Sequence, residues 1–144
     1  MSKINSRSKG QRAERLAIRL LQPVVTRVYE SRGLEPPVLE RNLMQSMKGG
    51  FDIVGLEWMA LEIKHHETLQ INRWWEQTLR QSGKSRVPVL MYKQNRVAWR
   101  VVMFGRLNIG KNGGSFRAPV DIALPDFLGY FEERLKYQIE REKR

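Results

Sequence analysis

Hydrophobic positions recur along this chain with two different periods, and their alternation sketches the fold. Over residues 9–32, Ala13, Leu16, Ala17, Leu20, Leu21 and Val24 fall at helical spacing, with Ser8 or a neighbour as cap. Pro23 lies inside that run and predicts a kink or a break into two pieces. Gly33 and the pair Pro36-Pro37 end it. Residues 38–44 read as a first strand and residues 47–50 as a flexible turn. A hairpin follows over residues 52–64, turning at Gly55. Ile71, Trp74, Trp75, Thr78 and Leu79 give the buried face of a second helix over residues 71–82, stopped by Gly83. Residues 87–92 and 97–104 read as strands joined by a turn at Lys93-Gln94-Asn95. The order strand, helix, strand between Trp58 and Tyr92 predicts a right-handed crossover with parallel pairing. Residues 108–115 have the composition of a mobile loop. Leu124, Leu128, Phe131, Leu135 and Ile139 give a C-terminal amphipathic helix. The expected class is α/β: a helix, three strands, a helix and further strands, with a short mixed sheet between the helices.

Length bounds this architecture to a single domain over residues 1–144. Residues 1–8 would be a flexible basic arm, 9–104 the core, and 105–144 an extension carrying the last helix. There are no cysteines, which excludes disulfides and zinc-thiolate sites and permits a reducing cytoplasm. No apolar run approaches the roughly 18 residues of a membrane span. The N-terminus, polar and basic, has no secretory h-region. The expected location is the cytoplasm of a prokaryotic or phage-infected cell.

Charge narrows the class of partner. Lys and Arg number 26 against 15 Asp and Glu, a net charge of +11. Between Thr68 and Val120 the single acid is Glu76, against ten Lys and Arg. Such an excess suits a surface that tracks phosphates. A membrane is the competing polyanion, but no basic amphipathic segment has the exposed Trp/Leu face that interfacial helices need. Arg73, Gln77, Arg80 and Lys84 form a polar stripe on the second helix, and Lys9 and Arg12 lie on the first. These five cations are the expected DNA contacts.

The chemistry concentrates in D-I-V-G-L-E-W-M-A-L-E-I-K, residues 52–64. Side chains at i and i+2 on a strand share a face, so Glu62 and Lys64 project together while Met59, Leu61 and Ile63 point into a core. Ala60 shares the polar face and leaves room for a phosphate. The hairpin can bring Asp52 beside Glu62. Two carboxylates and an ammonium on one face suit a hard cation and phosphodiester hydrolysis; the alternative is an ordinary hairpin with a solvated face. Glu14 aligns with the apolar stripe Ile18, Leu21 and Val25 of the first helix. Either the apolar face begins after it and it pairs with Arg12 or Arg15, or the helix aims it at the Asp52–Glu62 pair. His65 and His66 point to opposite faces and cannot chelate one ion together. Trp58 is expected on the face of Glu62, and Trp74 and Trp75 in the core.

S-R-S-K-G-Q-R-A-E-R-L at residues 6–16, G-G-F-D-I-V-G at 49–55, L-E-I-K at 61–64 and W-W-E-Q at 74–77 occur in an order that resembles the PD-(D/E)XK nuclease superfamily. Within it the chain is most similar to the archaeal- and phage-type Holliday junction resolvases. The resemblance spans residues 9–104 and implies a restriction-endonuclease-like αβββαβ core. Phe51 stands where the signature has proline. The resemblance implies a Mg²⁺ site, with Mn²⁺ able to substitute, formed by Asp52, Glu62 and the main-chain carbonyl of Ile63, with Glu14 in support. It also implies a water-orienting and phosphate-stabilising role for Lys64, a place for Gln77 at the edge of the site, products with 5′-phosphate and 3′-hydroxyl ends, and a two-fold homodimer acting on branched DNA. A restriction, homing or nicking endonuclease of the same superfamily and a non-catalytic DNA-binding protein are the alternatives.

Overall fold

The computed structural model of the chain describes residues 6–44 and 50–143. Residues 1–5 of the expected arm and most of the expected turn at residues 47–50 lie outside the described residues. The elements are α1 (Ser6–Glu30), β1 (Glu40–Arg41), β2 (Ile53–Val54), β3 (Met59–His66), α2 (Ile71–Ser82), β4 (Val87–Gln94), β5 (Arg100–Gly110), β6 (Gly114–Ala123) and α3 (Leu124–Glu142). All six strands form one sheet in the order β1-β2-β3-β4-β5-β6. Among the described residues only β3 and β4 pair in parallel, across α2, and the other pairs are antiparallel. This is a restriction-endonuclease-like α/β architecture: a mixed sheet flanked by helices, with an added C-terminal helix.

Alternation along the strands divides the core. Leu61, Met91 and Val101 face α1 and α3, where Ala17, Leu21, Val25, Phe127 and Phe131 complete a continuous buried cluster. Leu90, Tyr92 and Val102 face the other way and are covered by Trp74 and Trp75 of α2. The expected core positions of Trp74 and Trp75 are therefore occupied. Among the described residues no helix is long and apolar enough to cross a membrane.

Four expectations are corrected. Helix α1 runs through Pro23 without a break. The proline is exposed, and the buried stripe Ala17, Leu21, Val24, Val25, Val28 continues on both sides of it, so burial of one face keeps both halves in a single helix. The first strand contracts from residues 38–44 to Glu40–Arg41, because its partner β2 offers only two residues; Val38 and Leu43 are left exposed. The supposed loop at 108–115 is instead the end of a long β5–β6 hairpin, with its turn at residues 111–113. Trp58 leaves the face of Glu62 and packs on Phe131 of α3 at 6.2 Å between rings, since regular strand alternation begins only at Met59.

Gly55 makes the tight β2–β3 connection possible. Its φ is +129°, and a Cβ there would stand 2.7 Å from the carbonyl oxygen of Val38. Gly55→Ala is expected to lower stability by about 2 kcal/mol or more, through positive φ and backbone crowding together. Urea denaturation followed by circular dichroism checks this, and an unchanged midpoint would refute the packing argument.

Candidate active site

The register of the β2–β3 hairpin builds the site. Ile53 pairs with Leu61, which brings Asp52 beside the Leu61–Ile63 segment that carries Glu62. Ile53 and Leu61 belong to the main core, so Asp52 and Glu62 both project to the opposite face. The amide of Asp52 donates to the Leu61 carbonyl at 2.9 Å, and the amide of Asn42 donates to the Asp52 carbonyl at 2.7 Å. The Asp52 backbone is thus clamped from both sides. Its Oδ2 accepts the Ile63 amide at 2.7 Å, which also fixes the side chain.

Glu62 is 3% exposed and Asp52 8%. Lys64 Nζ lies 3.7 Å from Glu62 Oε1. The same oxygen accepts a long 3.4 Å hydrogen bond from Gln77 Nε2, so α2 does bring Gln77 to the edge of the site. Among the described residues Glu62 Oε2 is buried with no donor to it. Burial first, then the adjacent Asp52 charge, push the Glu62 carboxyl up to about 8; Lys64 pulls in the opposite direction, and Glu14 adds a smaller upward push. A buried acid pair with an unused oxygen is costly in the absence of a cation, and a hard divalent ion would satisfy both. The residues present therefore fit a metal held by Asp52 and Glu62.

Glu14 sits beside this pair rather than in it. Its Oε2 accepts from Arg41 Nε at 2.8 Å, so its partner is neither Arg12 nor Arg15 but a residue of the edge strand β1. Burial raises its carboxyl above the ordinary value and Asp52 adds to the rise, against the Arg41 hydrogen bond. Among the described residues no three His, Asp or Glu side chains are grouped to hold a metal. The cation site would rest on Asp52, Glu62 and main-chain oxygen, with Glu14 acting from outside through its charge and Arg41.

The expected DNA contacts divide by position. Arg73, Arg80 and Lys84 stand exposed on or just beyond α2, and Arg12 is exposed on α1. Lys9 is drawn inward by a 2.6 Å hydrogen bond to Asn95 Oδ1. Together with Arg12, His65, Lys93 and Arg96, Lys9 lines a cationic cavity of about 400 Å³. His66 takes the other face, its ring 5.0 Å from Trp74. Burial lowers both histidines below the ordinary value, and the charge of Lys9 lowers both further.

The model of the family described as "Phage putative PDDEXK endonuclease" matches residues 5–111. The chain belongs to this family. The matched span contains Glu14, Asp52, Glu62, Lys64 and Gln77, and leaves all of β6 and α3 outside. No curated protein and no solved structure matches the chain. Membership of the PDDEXK endonucleases makes DNA the implied substrate class and a divalent metal the general requirement.

Within this PDDEXK endonuclease, Phe51 stands in the place of the signature proline and is held by its neighbours. Arg86 lies 4.6 Å over the Phe51 ring and donates to the carbonyls of Leu56 and Met59 at 3.3 and 3.4 Å, while Asn42 Nδ2 donates to the Phe51 carbonyl at 2.9 Å. Asn42, Arg41 and Arg86 are site-building residues that sequence reasoning missed. Their roles depend on pairings across the edge of the sheet, which no local pattern reports. Gln77→Ala is expected to slow cleavage about tenfold by freeing the Glu62 side chain, within the range of supporting groups around metal sites. Single-turnover cleavage checks this, and an unaltered rate would make Gln77 a bystander.

Proposed function

We propose that this protein is a metal-dependent DNA endonuclease that cuts branched DNA, with four-way junctions as its preferred substrate. The observation that carries the reading is the buried pairing of Asp52 with Glu62 beside Lys64, with Glu62 Oε2 given no donor among the described residues. Asp52, Glu62 and the carbonyl of Ile63 would hold Mg²⁺, with Mn²⁺ as a substitute, since oxygen donors suit hard cations. The bound ion supplies a lowered water pKa and charge neutralisation at the phosphate. Lys64 stabilises charge on the phosphate and orients the attacking water. Glu14, tied to Arg41, flanks the acid pair and supports the metal site from outside. Gln77 holds Glu62 in its rotamer. Lys9, Arg12, Arg73, Arg80 and Lys84 contact the DNA backbone, and hydrolysis leaves 5′-phosphate and 3′-hydroxyl ends.

A junction must be cut at two symmetric positions, which suits a two-fold homodimer acting in the cytoplasm of the infected cell. The test is cleavage of an immobile four-way junction and its matched linear duplex in Mg²⁺, with sedimentation of the same protein at micromolar concentration. Paired nicks in the junction alone, from a dimer, support the reading. Cutting of linear duplex at a defined sequence would move the substrate to restriction or nicking chemistry. Binding without cleavage in either Mg²⁺ or Mn²⁺ would overturn catalysis itself.

A further inference from the structure

The β5–β6 hairpin is longer than the sheet needs. Strand β5 pairs with β4 only over Arg100, Val101 and Val102, yet its ladder with β6 continues to the Gly110–Gly114 pair. Past the level of Val102 the hairpin departs from the β4 edge as a two-stranded ribbon. Residues 106–117 are all exposed, including Leu107 at 50%, Ile109 at 59% and Phe116 at 61%. A bare two-stranded ribbon has little intrinsic stability in water. A ribbon that buries none of its end against its own domain has its purpose outside the domain.

Its two faces differ. Val102 shares a row with Leu90 and Glu62, so the face of the ribbon continuous with the active-site side carries Phe104, Arg106 and Asn108. Opposite them in register stand Pro119, Arg117 and Ser115. Trp75 of α2 meets the Phe104 ring edge-on at 5.2 Å, and the Arg117 guanidinium lies 3.6 Å above that ring, which anchors the basic face to α2. Leu107, Ile109 and Phe116 occupy the other face. Lys111 stands in the turn. Residues 105–118 contain these three cations and no acid.

We infer that this ribbon lies in the major groove of duplex DNA beside the cleavage site, with Arg106, Asn108, Ser115 and Arg117 turned to the bases and phosphates. The inference deepens the nuclease reading and rests on it. Two strands about 4.8 Å apart, with their side chains, match a groove about 12 Å wide and exceed one of about 6 Å. The net charge of the ribbon is complementary to DNA, and its Arg and Asn side chains are those that pair with purine edges. A second copy of the chain is the less favoured occupant: Pro119 offers no N–H for edge pairing on β6, and Arg117 on each copy would add like charge. The strand geometry also sets the distance. Arg106 and Gly110 lie four and eight residues beyond the Glu62 row. At about 3.4 Å per residue this is roughly 14 to 27 Å, or about four to eight base pairs at about 3.4 Å each.

The experiment uses the full-length chain with Asp52→Asn, so that substrate stays intact, and compares it with the same chain carrying Arg106→Ala, Lys111→Ala and Arg117→Ala. Affinity for DNA with long duplex arms is measured against salt, and the protected span is mapped by footprinting. The expected result is at least a tenfold weaker Kd, a salt slope lower by about two to three, and a footprint shorter by about four to eight base pairs on one side. Arg106→Lys with Arg117→Lys restores the salt slope if the charges act as described. Unchanged affinity and footprint would overturn the inference while leaving the nuclease reading intact. Unchanged DNA binding together with dimer dissociation in Leu107→Ser, Ile109→Ser would assign the ribbon to a second copy instead. Failure of the Asp52→Asn parent to protect any DNA would remove the nuclease reading first, and the ribbon inference with it.

Discussion

Asp52→Asn is expected to slow cleavage in Mg²⁺ by about a thousandfold or more while leaving DNA binding in place, a loss of roughly 4 kcal/mol of transition-state stabilisation. The substitution is nearly isosteric. An amide oxygen can still accept the Ile63 N–H, now held at 2.7 Å by Asp52 Oδ2, and the backbone clamp from Asn42 and Leu61 does not involve the side chain. What disappears is one of two negative charges at the proposed cation site. DNA affinity without metal should hold or tighten, because a buried anion that repels phosphate is gone. A second consequence separates this account from simple damage. The Asp52 charge is, after burial, the next largest cause of the raised Glu62 carboxyl, so Glu62 should titrate at lower pH in the variant. Junction cleavage, fluorescence anisotropy and a carboxyl titration by NMR measure the three effects. Near-wild-type cleavage would remove Asp52 from the chemistry. Joint loss of binding, cleavage and circular dichroism would mean that the variant had failed to fold.

The parts of the molecule legible in the sequence are those whose burial is one-sided and periodic. The Asp52–Glu62 apposition could be read because an alternating strand and a glycine turn leave few registers that keep Met59, Leu61 and Ile63 inside. Helix α2 was legible from its aromatic spacing, and the parallel β3–β4 pairing from the helix between them. Strand β6 was not. Its residues are mostly exposed, the glycine-rich residues 108–115 at the hairpin end read as loop, and its pairing with β5 is set by the hairpin turn rather than by a core. Pro23 misled in the opposite direction, because a local helix breaker was outweighed by burial of one helix face.

The candidate site shows the same division. Same-face logic reached Glu62, Lys64 and Asp52, helix periodicity aimed Glu14 toward them, and the family resemblance placed Gln77 at their edge. Arg41 was invisible. It looked like part of a longer strand, and its value comes from meeting a carboxylate 27 residues away. Arg86 and Asn42 act on backbone carbonyls, contacts that depend on exact chain path and leave no signature in residue type. Long-range polar contacts of this kind set the electrostatics of the site, and they become readable only when the sheet edge is assembled.

Those electrostatics give the second large effect. Glu62 titrates near 4.5 in an unfolded chain and is pushed up to about 8 in the fold. Between those values the folded protein binds more protons than the unfolded one, so stability falls as pH rises through that window. Below about 4.5 the Glu62 contribution is flat, and above about 8 the full penalty of burying the charge is present. The metal-free protein should therefore lose stability between pH 5 and 8.5, by an amount on the order of 3–5 kcal/mol if Glu62 titrates alone. Glu62→Gln removes the titrating group, so the variant should be more stable than the parent at pH 8.5 and nearly equal to it at pH 5. Added Mg²⁺ should restore the parent at pH 8.5 and release a proton as it binds below pH 8, while doing neither in the variant. Thermal melts across pH, with and without Mg²⁺, and calorimetry in buffers of different ionisation heat give the readouts. A parent whose stability is independent of pH over this range would mean that water reaches Glu62 and that its unpartnered oxygen is already satisfied.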